Sequence, residues 1–220
     1  MGRTEPRRSA VTSCSNRTTL SSYAAKFRQY GERSTQTLAG ASKTWIDQIL
    51  IGLEPDAAIF EMGTAHGRDA AYIAARGYAV LCSDAVPEFV AELLAKGVPA
   101  IVFDLLTDPF ERQYDLILAN AVLLHFTDAE FDHALLKTVG ALSAGGRFAF
   151  TLKAGQGSEW SNAKIDAPRY FRYWSRDELI ERFDAHGLRD FTIDAVTTDR
   201  AHAEWIYVTV RRPAAGTGGA

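Results

Sequence analysis

The stretch Glu61-Met62-Gly63-Thr64-Ala65-His66-Gly67-Arg68-Asp69 decides the fold. It follows an apolar run over 57–61 and leads into small apolar residues at helical spacing over 69–76. Two glycines and an alanine at alternate positions mark a turn whose backbone can pass close to a ligand. The helix behind it presents unpaired N–H groups to the same place. Strand, glycine turn and helix in this order open a βαβ unit.

Outward from that turn the alternation repeats. Apolar runs predict strands over 78–83, 99–103, 114–119 and 147–153, with helices over 87–96 and 128–139. Pro87 suits a first helical turn. Asp128 reads as an N-cap, and Ala144-Gly145-Gly146 as the turn before the strand at 147. Ser175 and Glu178 have capping-box spacing, and His186-Gly187 ends their helix. Strands over 189–195 and 204–211 have no helix between them, so one of them runs antiparallel. The expected fold is α/β: a doubly wound, mostly parallel sheet with a C-terminal antiparallel hairpin and helices on both faces. Helices around 22–30 and 43–50 come before the first strand and are expected to cover the ligand edge. Residues 1–18 are polar without an apolar period and are expected to be a disordered tail. One domain is expected over 19–212, with a helical lid over about 20–52, and a flexible tail over 213–220.

Bulk properties exclude several classes. The net charge of −3 over 220 residues, with no Lys/Arg stripe, opposes a nucleic-acid binder. No apolar run approaches the ~20 residues that span a bilayer. No apolar segment follows Arg7-Arg8, so a secretory signal is not expected, and Pro6 breaks a myristoylation pattern. Cys14 and Cys82 read as free thiols in a reducing compartment, and a cytoplasmic monomer or homodimer is expected. No metal-ligand spacing and no nucleophile motif occurs in the sequence.

Ligands of open α/β sheets bind at the carboxyl ends of the strands. Three successive strands end there in an acid: Glu61, Asp84 and Asp104. Asp84 stands 21 positions after Gly63, where a carboxylate can accept both ribose hydroxyls. Asp104 is placed for an adenine amine. A dinucleotide G-x-G-x-x-G fails at Ala65 and Arg68, and a P-loop fails at its lysine. Glu61 would repel a phosphate but suits the ammonium of an amino acid.

The run Glu61 to Gly67 resembles the E/D-x-G-x-G-x-G motif of class I S-adenosylmethionine-dependent methyltransferases. Asp84 is similar to their ribose acid, Asp104-Leu105 to their adenine-contacting pair, and 118–125 to the segment that holds the methionine end. Leu142-Ser143-Ala144-Gly145-Gly146 resembles their L-x-P-G-G turn, with Ala144 in place of proline, and Ala65 replaces the middle glycine. A closer likeness is to a bacterial group compared with tellurite-resistance methyltransferases. It rests on Tyr23, Tyr30, Gly67-Arg68-Asp69, Leu123-Leu124-His125, Lys153-Ala154-Gly155 and Arg169-Tyr170-Phe171. The resemblance covers about 22–211 and implies a seven-stranded sheet. It implies S-adenosyl-L-methionine as cofactor, held by Tyr30, Glu61, Gly63, Thr64, Ala65, Gly67, Asp84, Ala85, Asp104, Leu105, Ala119 and Asn120.

A small-molecule acceptor is expected over the methyl group, met by Tyr23, His66, Lys153, Trp160, Arg169 and Tyr170. An arginine among aromatics suits a planar or anionic molecule. His125 is the candidate general base, while His133, His186 and His202 read as solvated. In-line methyl transfer needs no covalent intermediate, so the missing nucleophile fits. The alternative is a non-catalytic cofactor-binding protein of the same fold.

Overall fold

In the computed structural model, which describes residues 12–197 and 204–214, strand β1 (Ile59–Met62) is buried at every position. Parallel neighbours on both sides, β2 (Val80–Asp84) and β4 (Tyr114–Ala119), explain its unbroken burial. β3 (Ala100–Val102) pairs with β2, and β5 (Leu142–Ala154) with β4. Beyond β5 the sheet continues through β9 (Glu204–Arg211), antiparallel to it, and then β8 (Phe191–Thr197). The order β3-β2-β1-β4-β5-β9-β8 is the expected seven-stranded sheet with a terminal hairpin. Strand order reverses between β1 and β4, which opens the ligand crevice there.

Successive side chains of a strand face opposite sides, and each side has its own core. Phe60, Met62, Ile117, Phe148 and Phe150 meet α6 (Asp128–Gly140) and α7 (Arg176–Ala185) on one face. Ile59, Cys82, Leu116 and Leu118 meet α3 (Gly40–Leu50), α4 (Arg68–Ala74) and α5 (Pro87–Ala95) on the other. The capping box of Ser175 and Glu178 is present. The N-cap of α6 is Thr127, with Glu130 as its reciprocal partner, so the expected Asp128 cap moves by one residue. The Ala144-Gly145-Gly146 turn lies inside β5, where the register with β4 slips between Tyr114 and Leu116.

Two regions differ from the sequence expectation. Residues 14–18, expected as disordered tail, belong to α1 (Cys14–Ala25). Its buried positions are Asn16, Thr19 and Ser22, spaced i, i+3, i+6 but polar. They dock by hydrogen bonds: Thr19 Oγ1 accepts from Tyr170 N at 3.0 Å, and Ser22 Oγ donates to Pro168 O at 2.7 Å. Ser13 caps the helix, and its N–H donates to Glu130 at 2.6 Å. The helix expected over 22–30 is two helices, α1 and α2 (Phe27–Glu32), which meet at Lys26. The second difference is a hairpin of β6 (Ser158–Ser161) and β7 (Arg169–Trp174). β7 pairs with the end of β5, which makes nine strands. Its aromatics, read as pocket residues, are strand-forming residues of a largely buried strand between β5 and β6. Residues 1–11 and 215–220, and His202, lie outside the described residues. Both described thiols, Cys14 and Cys82, are free. Among the described residues no helix is long and apolar enough to cross a membrane.

Candidate active site

The turn after β1 is left-handed at every second residue: Gly63 (φ 64°), Ala65 (φ 48°) and Gly67 (φ 85°). Thr64 N donates to Ser83 O at 2.9 Å, which ties the turn to β2, and Gly67 N donates to Thr64 O at 2.9 Å, which closes it. Gly63 has no room for a side chain, because a Cβ there would sit 2.4 Å from Val122 Cγ2. Ala65 keeps the glycine-like backbone although an L-residue in this region costs about 1–2 kcal/mol. Ala65→Gly is therefore expected to gain up to about 1 kcal/mol, part of the relief being offset by the unfolded-state entropy of glycine. Urea denaturation reads this directly, and a loss of stability would show that the turn is unstrained.

Asp84 ends β2 and anchors the turn. Its Oδ2 accepts from Ala65 N at 3.0 Å and its Oδ1 from Val86 N at 2.9 Å. Burial pushes the carboxyl up to about 6, against the pull of those N–H bonds. Glu61 is 3% exposed, and its Oε2 has no partner among the described residues. Burial first, then the charge of Asp69, raises its pKa well above the carboxylate range. Asp104 follows β3, and its Oδ1 accepts from Leu106 N at 2.9 Å. Its pKa is raised too, by burial.

The segment after β4 forms the facing wall. Asn120 Nδ2 donates to Asp69 at 2.6 Å, and its Oδ1 accepts from Thr151 Oγ1 at 2.7 Å. The same Thr151 oxygen accepts from Ala121 N at 2.8 Å and so holds Ala121 at φ 59°. His125 lies in a short 3-10 turn and is buried. Its Nδ1, 2.7 Å from Tyr170 O, must carry a proton and donate, so Nε2 accepts from Tyr23 OH at 3.0 Å. Arg169 Nη1 donates to the same Tyr23 oxygen at 3.2 Å. Burial, reinforced by the charges of Arg169 and Lys153, lowers the His125 pKa to about 3 despite the Tyr170 bond. A ring so hard to protonate is a poor neutral-pH base, contrary to the sequence expectation; its geometry makes it a post for Tyr23. Burial raises the pKa of Tyr23.

Two cavities adjoin across Tyr30, Gly63, Ala65, Asn120 and Ala121. The first, about 100 Å³, also meets Tyr23, Asp84, Ala85, Asp104, Leu105 and His125, under the α1 residues Asn16, Thr19 and Leu20. The second, about 500 Å³, meets Glu61, Thr64, His66, Arg68 and Asp69. Ala119 and Gly67 line neither; Ala119 is buried in the sheet and Gly67 shapes the turn. His66 is pinned between Phe27 O, 3.2 Å from Nε2, and Glu92, 3.1 Å from Nδ1, so it braces α2 against α5. Lys153, Trp160, Arg169 and Tyr170 line neither cavity. Lys153 sits over the Phe171 ring at 4.2 Å, and Trp160 is 50% exposed against Tyr170. Sequence reasoning missed Arg33 to Gln36, Lys164, Trp205 and Tyr207 in the second cavity. Only the Trp205-x-Tyr207 alternation, with both side chains on one face of a strand, offered a signal.

A model of the methyltransferase domain matches residues 35–193. No curated protein sequence matches the chain. Among solved structures it is similar to the 1,6-didemethyltoxoflavin-N1-methyltransferase of Burkholderia thailandensis with bound 1,6-didemethyltoxoflavin and S-adenosylhomocysteine. Identity is 19% over 88% of this chain and 87% of that one, with a TM-score of 0.68. It is similar to DhpI in its SAM-HEP complex, at 19% identity over 91% and 99% with a TM-score of 0.69. The glycopeptide N-methyltransferase MtfA follows at 11% over 78% and 90%, with a TM-score of 0.61. With more than half of its length matched by the family model, this chain belongs to the methyltransferase-domain family, in the class I S-adenosylmethionine-dependent fold.

Proposed function

We propose that the protein binds S-adenosylmethionine along the cleft the two cavities form, its adenosine in the first and its methionine end beside Glu61 where they adjoin, and passes its methyl group to a small-molecule acceptor in the rest of the second. The observation that carries this is the pair of buried acids along one cleft. Glu61 has an oxygen without a partner, and Asp84 is held by backbone N–H groups with lone pairs to spare. Asp84 would take the ribose hydroxyls, Asp104 the adenine amine, and Glu61 the ammonium of the methionine end. The S-adenosylhomocysteine and SAM held by structures of similar fold support the choice of cofactor. When bound, the cofactor supplies a methyl carbon already activated by a sulfonium.

The work left to the chain is alignment and exclusion of water. α1 and α2 cover the cleft, with Tyr23 edge-on to Tyr30 at 5.2 Å. His125 and Arg169 fix the Tyr23 hydroxyl from two sides, which stiffens the lid above the reacting atoms. The acceptor enters between Tyr30, Asn120 and the Trp205–Tyr207 wall.

Affinity for S-adenosylhomocysteine is expected to weaken as pH falls through about 6, approaching tenfold per pH unit below it. The sign follows from the ribose, whose hydroxyls donate to the ionised carboxylate of Asp84. Because the fold raises this pKa above the ordinary aspartate value, the unliganded protein loses stability as pH climbs from that value to about 6. The raised Glu61 adds to the same trend, since an ammonium also favours the carboxylate. Calorimetric titrations from pH 5 to 8 test this on wild type and Asp84→Asn, whose profile should be weak and flatter. A flat wild-type profile would remove the ribose from Asp84.

A further inference from the structure

The segment between β6 and β7 holds two non-glycine residues in left-handed backbone, Lys164 (φ 75°) and Asp166 (φ 51°). Such conformations persist only where neighbours over-determine them. The neighbours here are on the lid. Asp166 accepts from Gln29 Nε2 at 2.6 Å and pairs with Arg33 at 3.1 Å. Arg33 Nη1 also donates to Lys164 O at 2.9 Å. This clamp turns the Lys164 side chain into the second cavity, where its Nζ lies 3.9 Å from the centroid of the Tyr30 ring.

Beyond that ring face, little answers the charge of the ammonium. Among the described residues it has no carboxylate partner, whereas Arg33 pairs with Asp166 and Arg68 with Asp69. Partial burial lowers its pKa to about 8, and the charges of Arg169 and Arg68 push the same way. A half-buried cation surrounded by cations is costly unless an anion joins it. Trp205 and Tyr207 add an aromatic wall, and Thr35, Gln36 and Ser42 supply polar groups.

We infer that the methyl acceptor carries an anionic oxygen, a carboxylate or a phosphonate-like group, and that Lys164 receives it in the second cavity. The inference rests on the methyltransferase reading above. Arg68 lines the same cavity, but Asp69 already takes its charge, which leaves Lys164 to meet an added anion.

The test uses the full chain saturated with S-adenosylhomocysteine and titrated with benzoate, phenylphosphonate or neutral benzamide. At least one anion is expected to bind about tenfold or more tightly than benzamide. Lys164→Met should remove that preference while leaving S-adenosylhomocysteine affinity unchanged, and Lys164→Arg should retain most of it. Benzoate against phenylphosphonate tells a carboxylate from a phosphonate site. Anions that bind no better than benzamide, or equally well in Lys164→Met, would overturn the inference. So would a Lys164→Met protein that loses S-adenosylhomocysteine itself, which would assign the lysine to the cofactor. Wild type that binds no S-adenosylhomocysteine fails the underlying reading, and that is seen before any anion is added.

Discussion

Gly63→Ala is expected to abolish measurable S-adenosylhomocysteine binding and to lower the melting temperature on the order of 10 °C. Two costs combine. The added Cβ would meet Val122 Cγ2 at 2.4 Å, and overpacking of this kind costs about 1–3 kcal/mol. The φ of 64° adds about 1–2 kcal/mol for an L-residue. Val122 has little freedom to retreat, because Ala121 before it is tied to Thr151. Relief must then come from the glycine turn itself, which carries Ala65 N onto Asp84 and borders both cavities. Differential scanning fluorimetry with and without ligand reads both effects. Gly77→Ala is the control: it shares a left-handed backbone (φ 90°) but has nothing within 4 Å of its Cβ. If the two variants behave alike, close packing at Gly63 is irrelevant.

Glu61→Gln is expected to separate stability from binding. The glutamine has the same shape and no charge to bury. At pH 7 the variant should be more stable than wild type, because burial and the charge of Asp69 oppose ionising this carboxyl. The sign is set by the raised pKa. The wild-type penalty is absent in acid and grows as pH climbs above the ordinary carboxylate range, so the gain should vanish near pH 4. Cofactor affinity should nonetheless fall about thirtyfold or more, because a buried ammonium would lose its counter-charge. Urea melts at two pH values and one calorimetric titration decide it. A variant that binds as tightly as wild type would take Glu61 out of the site.

The sheet was legible because its signals are local. The runs of β1, β2 and β3, each with an acid at or just after its end, predict strand ends that meet at one crevice. Glu61, Asp84 and Asp104 do converge there. Ala65 did not mislead, since the left-handed backbone survives the extra methyl. The lid was half legible. Tyr23 and Tyr30 stand over the cleft, but α1 starts at Cys14 because hydroxyls and an amide fill its buried face, which leaves no apolar stripe to read. The acceptor side was least legible. Arg169, Tyr170 and Trp160 drew attention as aromatic and cationic residues, yet they belong to a hairpin and line neither cavity. Lys164 carries no sequence signal. Its place depends on a left-handed backbone held by Gln29 and Arg33, more than a hundred residues away. His125 illustrates the same limit: position suggests a base, but burial and two nearby cations make it a neutral hydrogen-bonded support.

The most direct test of the cofactor assignment is a thermal melt of the wild-type chain with S-adenosylhomocysteine, S-adenosylmethionine and NADH in separate wells. A ligand at about 100 times its dissociation constant stabilises by roughly 2.7 kcal/mol, which in a domain of this size raises the melting temperature on the order of 5–10 °C. The buried acids of the cleft predict that shift with both adenosyl ligands and none with NADH. Folded protein that shows no shift with either adenosyl ligand at millimolar concentration would contradict the account.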